Sequence, residues 1–545
     1  MPKYDKETKL ARFYKFNIVL MKNTFIALVL LCVANTAFAQ GTLSGDLMLN
    51  SNFFQRDTAI NAANNPLYDN FLSGGEAWLG LRYSYKGFTA TLRTDAFHNS
   101  NLYVPTQATN GFGIGAWSLS KDIQGLSITA GYIYDQIGSG IIFRAYEDRG
   151  LLIDNALVGV RLKYQLTKNI YVKGMTGQQK FLFSRYNPII KAANVEGDFN
   201  IGSVHLIPGI GVLNRTLDQT SIDNVVTTLN SQPINTRFIP NYNTYAFNAY
   251  NTLTVGDFSW YVEGAYKTEE AIIKNAMLQN LAGNVIYSTL GYARKGIAVN
   301  LTGKRTENFV MRTSPNEILN RGLMNWQPIV ARMRPQRLMA RYTPASQDVS
   351  ELATGMDVLI APNDNLNITL NGTYINTLED IELYREGYIE ADYRGFKDWI
   401  LNAGFQYMEY NQELYQVKPL VPIVKSMIPF FEITRRITKK QSIRTEWEYQ
   451  STQQDYGSWI FGLLEYTIAP RWSFAVSDMY NIVKGPSSTA GSSKHYYNIF
   501  MAYTKGPHRF TLSYVKQVEG INCTGGVCRY EPAFSGVKFG CTSQF

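Results

Sequence analysis

Four histidines, at 98, 205, 495 and 508, are the side chains best suited to exchange protons near neutral pH, and they are scattered along the 545 residues. None has a second His or a Cys at metal-ligand spacing. Cys523 and Cys528 bracket Thr-Gly-Gly-Val. That C-x4-C pair either closes a small disulfide ring, which an exported compartment permits, or stays as two loop thiols. No further ligand is near enough for a metal. Ile137-Gly138-Ser139-Gly140 is not the G-x-S-x-G elbow of a serine nucleophile. Asp95 and His98 lie three apart on one predicted strand, so they point to opposite faces, an Asp inward and a His at the rim. No catalytic set, cofactor or metal is expected, and the chain does not read as an enzyme.

Two charged stretches carry more chemistry than any dyad. Gly138 to Asn155 reads GSGIIFRAYEDRGLLIDN, too apolar for an idle loop and balanced in sign through Arg144, Glu147, Asp148, Arg149 and Asp154. It can fold inward and pair with charges such as Arg82, Arg93, Arg161 and Lys163. There it either braces the fold, the preferred reading, or constricts a passage. Around Phe309 to Gln347, seven arginines run from Arg305 to Arg341, with Arg332, Arg334, Arg337 and Arg341 closest together, against only Glu307 and Glu317. The guanidinium fork grips carboxylate, phosphate and sulfate groups in bidentate fashion. Such a cluster suits anions in transit, lipopolysaccharide phosphates or an acidic partner. Equally, it neutralises inner-face carboxylates such as Glu263, Glu446 and Glu448.

Strands must position these groups, because period-two alternation recurs from end to end. Ala77, Leu79, Leu81, Tyr83 and Tyr85 share one face, and Glu76, Gly80, Arg82 and Ser84 the other. Phe258, Trp260, Val262 and Tyr266 oppose Ser259, Glu263 and Lys267. One face suits lipid and the other water. Very short connections, such as Lys86-Gly87, Gln124-Gly125 and Lys439-Lys440, alternate with longer ones near 58–72, 100–113, 137–155, 215–240, 270–282, 309–348, 484–493 and 519–531. Short turns on one side and long loops on the other are the layout of an outer-membrane barrel.

Both ends of the chain agree. The last strand runs Lys538-Phe539-Gly540-Cys541-Thr542-Ser543-Gln544-Phe545, which resembles the C-terminal assembly signal of bacterial outer-membrane barrels through Gly540 and Phe545, with Ser543 where an apolar residue is usual. Residues 21–39 read as a secretory signal, with Lys22, an apolar core from Thr24 to Val33 and Ala37-Phe38-Ala39 before Gln40. Residues 1–20 do not resemble a signal, so Met21 is the expected start and residues 40–545 form the barrel. The first strand near Thr42 leaves no room for the plug domain of a TonB-driven receptor.

Composition sets the remaining bounds. With 36 Tyr, 29 Phe, 8 Trp and only 17% charged residues, the chain has the aromatic girdles and scarce charge of barrel strands. Residues 1–39 carry +4 of the formal +9, and a residual +5 does not argue for nucleic acid. Spacing of the breakers gives roughly 24 strands, an even number.

YIYDQIGSGIIFRAYEDRGLLIDNALVGVRLKY (132–164), NWQPIVARMRPQRLMARYTPASQ (325–347) and the Cys-x4-Cys-Arg-Tyr-x-Pro-Ala-Phe-Ser-Gly tail (523–536) together resemble a Bacteroidota outer-membrane β-barrel family catalogued as a domain of unknown function. The resemblance implies a barrel integral to the outer membrane and adds no activity or cofactor.

The expectation is therefore an all-β, closed antiparallel transmembrane β-barrel. Its surroundings would be outer-membrane lipid and lipopolysaccharide, with the barrel-assembly machinery as its partner during insertion. A porin-like channel for small hydrophilic solutes, leaning toward anions because of the Arg-rich stretch, is the first function. The alternative is a non-conducting structural or docking subunit of a multi-protein secretion or barrel-assembly complex.

Overall fold

The computed structural model describes residues 41–545 apart from 106, 275, 318–319, 347–348, 488–493 and 525–526, and leaves out the side chains of 522–524. The expected signal at 21–39, the stretch 1–20 and the start at Gln40 lie outside the described residues.

Strands with one apolar and one polar face have nowhere to leave an unpaired edge in lipid, and here the sheet closes on itself. It contains 25 hydrogen-bonded segments, two of which, Ser184–Gly197 and Phe199–Ile201, are one wall strand interrupted at Asp198. The wall is thus a closed antiparallel barrel of 24 strands. The first strand, Thr42–Phe54, pairs on one side with Ser73–Tyr85 and on the other with the last, Phe534–Gln544. Gly45 and Phe545 exchange both backbone hydrogen bonds, at 2.7 and 3.0 Å. A Cβ on Gly45 would stand 2.5 Å from the Phe545 ring, so glycine leaves the seat for the terminal aromatic. Ser543, where an apolar residue is usual, shares a 2.7 Å hydrogen bond with His508 Nδ1.

The two faces follow the pleat. In Asn243–Val255, Thr244, Ala246, Asn248 and Tyr250 are buried toward the lumen, while Tyr245 and Phe247 are exposed outside. Leu162, Trp260, Ile286, Trp447 and Val476 continue this outer apolar belt around the wall. Two-residue turns such as 86–87, 124–125, 256–257 and 439–440 gather at one end, together with Thr42 and Phe545. The longer connections gather at the other.

One expected long loop is absent. Residues 270–282 are mostly strand: Phe258–Lys274 and Met277–Arg294 form a hairpin that outreaches its neighbours. Alternation resumes beyond a bulge between Lys267 and Glu270. The helix Gln219–Asn230 covers the extension, packing Val225 and Leu229 on Ala271 and Leu278. The connection at 182–183, also on the long-loop side, is equally short.

Candidate functional site

The lumen is occupied by the chain's own loops. Residues 134–156 touch wall strands far apart around the barrel, which only a segment lying inside can do. Gly138 has φ +55°, and a Cβ there would meet the Glu263 carboxylate at 2.7 Å, so glycine permits the approach. Ser139 then donates from its backbone N–H (3.0 Å) and its hydroxyl (2.6 Å) to Glu263. Asn248 and Tyr261 donate to the same carboxylate at 2.6 and 2.5 Å. Ile137, Ile141, Ile142 and Phe143 are buried against Met175, Leu213, Ala246 and Val285, whose inward positions carry apolar side chains to receive them. This explains why the stretch is too apolar for a loop in water.

Charge fixes the rest of that segment. Arg93 on the wall takes Asp95 at 2.7 Å, Glu147 at 2.7 Å and Asp154 at 2.5 Å. Lys180 also pairs with Asp154. Asp135 holds Arg161 and Lys173, each at 2.7 Å. Arg149 pairs with Glu147 at 2.8 Å and reaches Asp46 at 3.4 Å. Arg144 stacks on Tyr146 and Trp326, 4.5 and 4.6 Å from their centroids. Asp148 accepts the Leu151 N–H at 3.0 Å, a local turn. Arg82 and Lys163, nearer the short-turn end, make no ion pair among the described residues.

Residues 308–350 cross the other side of the lumen. Arg215, Lys267 and Lys304 reach in from the wall to the carbonyls of Arg312 (2.8 Å), Val310 (2.9 Å) and Pro328 (2.7 Å). Arg334 takes Glu386 at 2.9 Å and Asn371 at 2.7 Å, with its guanidinium 3.5 Å from the Tyr388 centroid. Glu448 accepts the N–H groups of Arg337 and Leu338 at 2.7 and 2.9 Å. Arg332 meets Asp357 at 3.3 Å near the surface. Arg341 lies 4.6 Å over Trp459. Burial, with Arg341 close by, pushes the Arg337 guanidinium below its ordinary range.

The inward pieces also hold one another. Asn325 donates to the carbonyls of Ile141 and Phe309, each at 3.0 Å, and Arg144 N–H donates to Met324 at 2.8 Å. A third piece, the hairpin Gly520–Thr524 with Val527–Glu531, sends Arg529 to the carbonyls of Gly150 (3.2 Å) and Asn101 (2.9 Å). In this hairpin Cys523 stands opposite Cys528, and Cys528 is disulfide-bonded. Cavities of about 580 and about 520 Å³ remain beside the loops.

Each histidine has a local partner or position of its own. His205 contacts Asp198 at 2.9 Å and His495 contacts Asp478 at 2.6 Å. Asp95 is buried on Arg93, whereas His98 is exposed on the opposite face. Sequence reasoning missed Asp135, Lys173, Lys180, Arg215 and Glu270, and placed Lys267 on the inner face without its partner. Their signal was present: each is a charge on the inward parity of a wall strand or beside its end.

The chain belongs to the family of unknown function DUF6029, whose model matches residues 20–545. No curated protein matches the sequence. Among solved structures it is similar to the siderophore receptor PirA of Pseudomonas aeruginosa, at 8% identity over 92% of this chain and 80% of that one, TM-score 0.40. A mutant of the ferric enterobactin receptor PfeA from the same bacterium gives 6% identity, 92% and 80% coverage and TM-score 0.42. OpdK of that bacterium, crystallised with vanillate, gives 11% identity over 80% of this chain and 98% of that one, TM-score 0.34.

Proposed function

We propose that this protein is an outer-membrane channel for small hydrophilic solutes, anions among them, whose lumen rests closed. The observation that carries the reading is the filling of the lumen by loops of the same chain, held to opposite walls by ion pairs and hydrogen bonds. Wide barrels leak unless something occupies them. A closure built from polar contacts around residual cavities is one that ligand or membrane forces can shift. The leaning toward anions rests on Arg337 and Arg341, which line one of the cavities and make no ion pair among the described residues; Lys418 and Lys516 beside them are taken by Asp455 and Asp57. Arg332 and Arg334 contribute little free field, since carboxylates already match them. On this reading the chain is exported, inserted by the barrel-assembly machinery through Gly540 and Phe545, and surrounded by lipopolysaccharide.

The test is single-channel recording in planar bilayers. Wild-type protein should be silent or flicker at low conductance, and deletion of residues 138–155 should give steady open steps. Closed records from an assembled deletion variant would end this reading. They would favour the second, a non-conducting docking subunit of a secretion or barrel-assembly complex. The apolar core around Ile137 and Ile142 favours that alternative, because movement of the segment would have to expose it. Co-purification of stable partners in gentle detergent would then accompany the silence.

A further inference from the structure

A cavity of about 580 Å³ lies among the loops at the long-loop end of the barrel, above the Arg93 cluster. Its walls come from separate pieces of chain, among them 102–105, 147–155, 179–186, 320–322 and 528–530. Leu102, Tyr103, Leu151, Phe181, Tyr186 and Tyr530 make much of its lining. A recess of this size, apolar in its walls with a few convergent polar groups, is what a small organic ligand requires.

Its charges are uneven: five cations line it against three carboxylates. Arg93, Arg149 and Lys180 are matched by those carboxylates. Arg321 and Arg529 are not, and neither makes an ion pair among the described residues. Arg321 lies over the Tyr103 ring, 4.8 Å from its centroid. Arg529 is 9% exposed, and its terminal nitrogens donate only to backbone carbonyls. Its buried Nε has no hydrogen-bond partner. Burial pushes this guanidinium below its ordinary range, as expected of a buried cation with incomplete compensation.

We propose that this vestibule binds small organic anions, each with one anionic head on an apolar body. Arg321 and Arg529 take the head, because a guanidinium held in no ion pair offers charge-assisted donors, and Glu531 and Glu76 act on Arg529 only from a distance. The tyrosine-lined wall takes the body by removing its apolar surface from water. The site stands whether or not the barrel conducts, so a failed conductance experiment leaves it untouched.

Binding by the full-length protein in lipid nanodiscs tests this directly. Isothermal titration with 4-phenylbutyrate would be set against 4-phenylbutanol, which lacks the charge, and butyrate, which lacks the ring. The acid should saturate and bind about tenfold tighter than either match. Arg321→Gln should weaken it about fivefold with the barrel still heat-modifiable. Val104→Trp fills the cavity while leaving both arginines, and should abolish binding. Equal affinity for acid and alcohol, unchanged binding in both variants, or no saturation by about 10 mM acid would overturn the proposal. If Arg321→Gln fails to assemble, Val104→Trp and the acid–alcohol comparison decide the matter.

Discussion

The two long inward segments are opposite in charge. Residues 134–156 bring Asp135, Glu147 and Asp154 to a wall sector whose inner face carries Arg93, Arg161, Lys173 and Lys180. Residues 308–350 bring arginines and backbone N–H groups to a sector that presents Asp357, Glu386 and Glu448. Each sector is complementary to the loop that lies on it. The lumen's charge is therefore largely engaged in holding loops, and the sign of the whole chain says little about what passes. Burial raises the stakes in both sectors, since a charge left unpaired away from water is far more costly than one at the surface.

The sharpest test of the two-sector picture is Glu270→Gln. Glu270 binds Arg215 at 2.7 Å and Lys267 at 2.6 Å, and all three side chains are at most 4% exposed. Both cations also hold carbonyls of 308–350. Losing the carboxylate should cost about 3–5 kcal/mol, read as a lower urea midpoint of the heat-modifiable band. New protease cleavage should fall within 308–350 and spare 134–156; equal cleavage of both would break the comparison. Arg93→Gln is the converse, leaving Asp95 and Asp154 with Lys180 alone and Glu147 with Arg149. We expect about 3 kcal/mol and cleavage confined to 134–156.

A gentler probe exchanges the signs. Arg334→Glu or Glu386→Arg alone should destabilise, and the double variant should recover part of the loss, with a coupling of about 2 kcal/mol in a double-mutant cycle. Zero coupling would mean that packing of Arg334 on Tyr388, rather than charge, holds the second segment. The smallest effect belongs to Glu263→Gln, which preserves shape and removes the charge that four donors share. About 1 kcal/mol and faster amide exchange at 138–143 are expected; unchanged exchange would show that the isoleucines alone retain the first segment.

Much of the wall was legible before any coordinates. Alternation, short turns at one end and the terminal Gly540 and Phe545 led to a closed antiparallel barrel of roughly 24 strands, and the wall has 24. The miss at 270–282 has a local cause. Glu269-Glu270 interrupts the alternation and reads as a breaker, but it is a bulge, after which the pleat resumes under the helix Gln219–Asn230. In the candidate site the charged residues of 138–155 stood out because charge and isoleucine together are unusual in a loop. Asp135 and Lys180 did not, because a single inward charge on a strand looks like any other lumen charge.

Sequence by itself determined which side of each strand meets lipid and how the chain turns between strands. Those features depend on a two-residue period and on neighbours along the chain, so they survive without knowledge of the fold. Only the tertiary structure decided which charge meets which. Ser139 and its acceptor Glu263 are 124 residues apart, Arg337 and Glu448 are 111 apart, and Arg149 and Asp46 are 103 apart. Closure of the barrel makes such pairs neighbours by curving the wall around the loops, and no local pattern records the curvature.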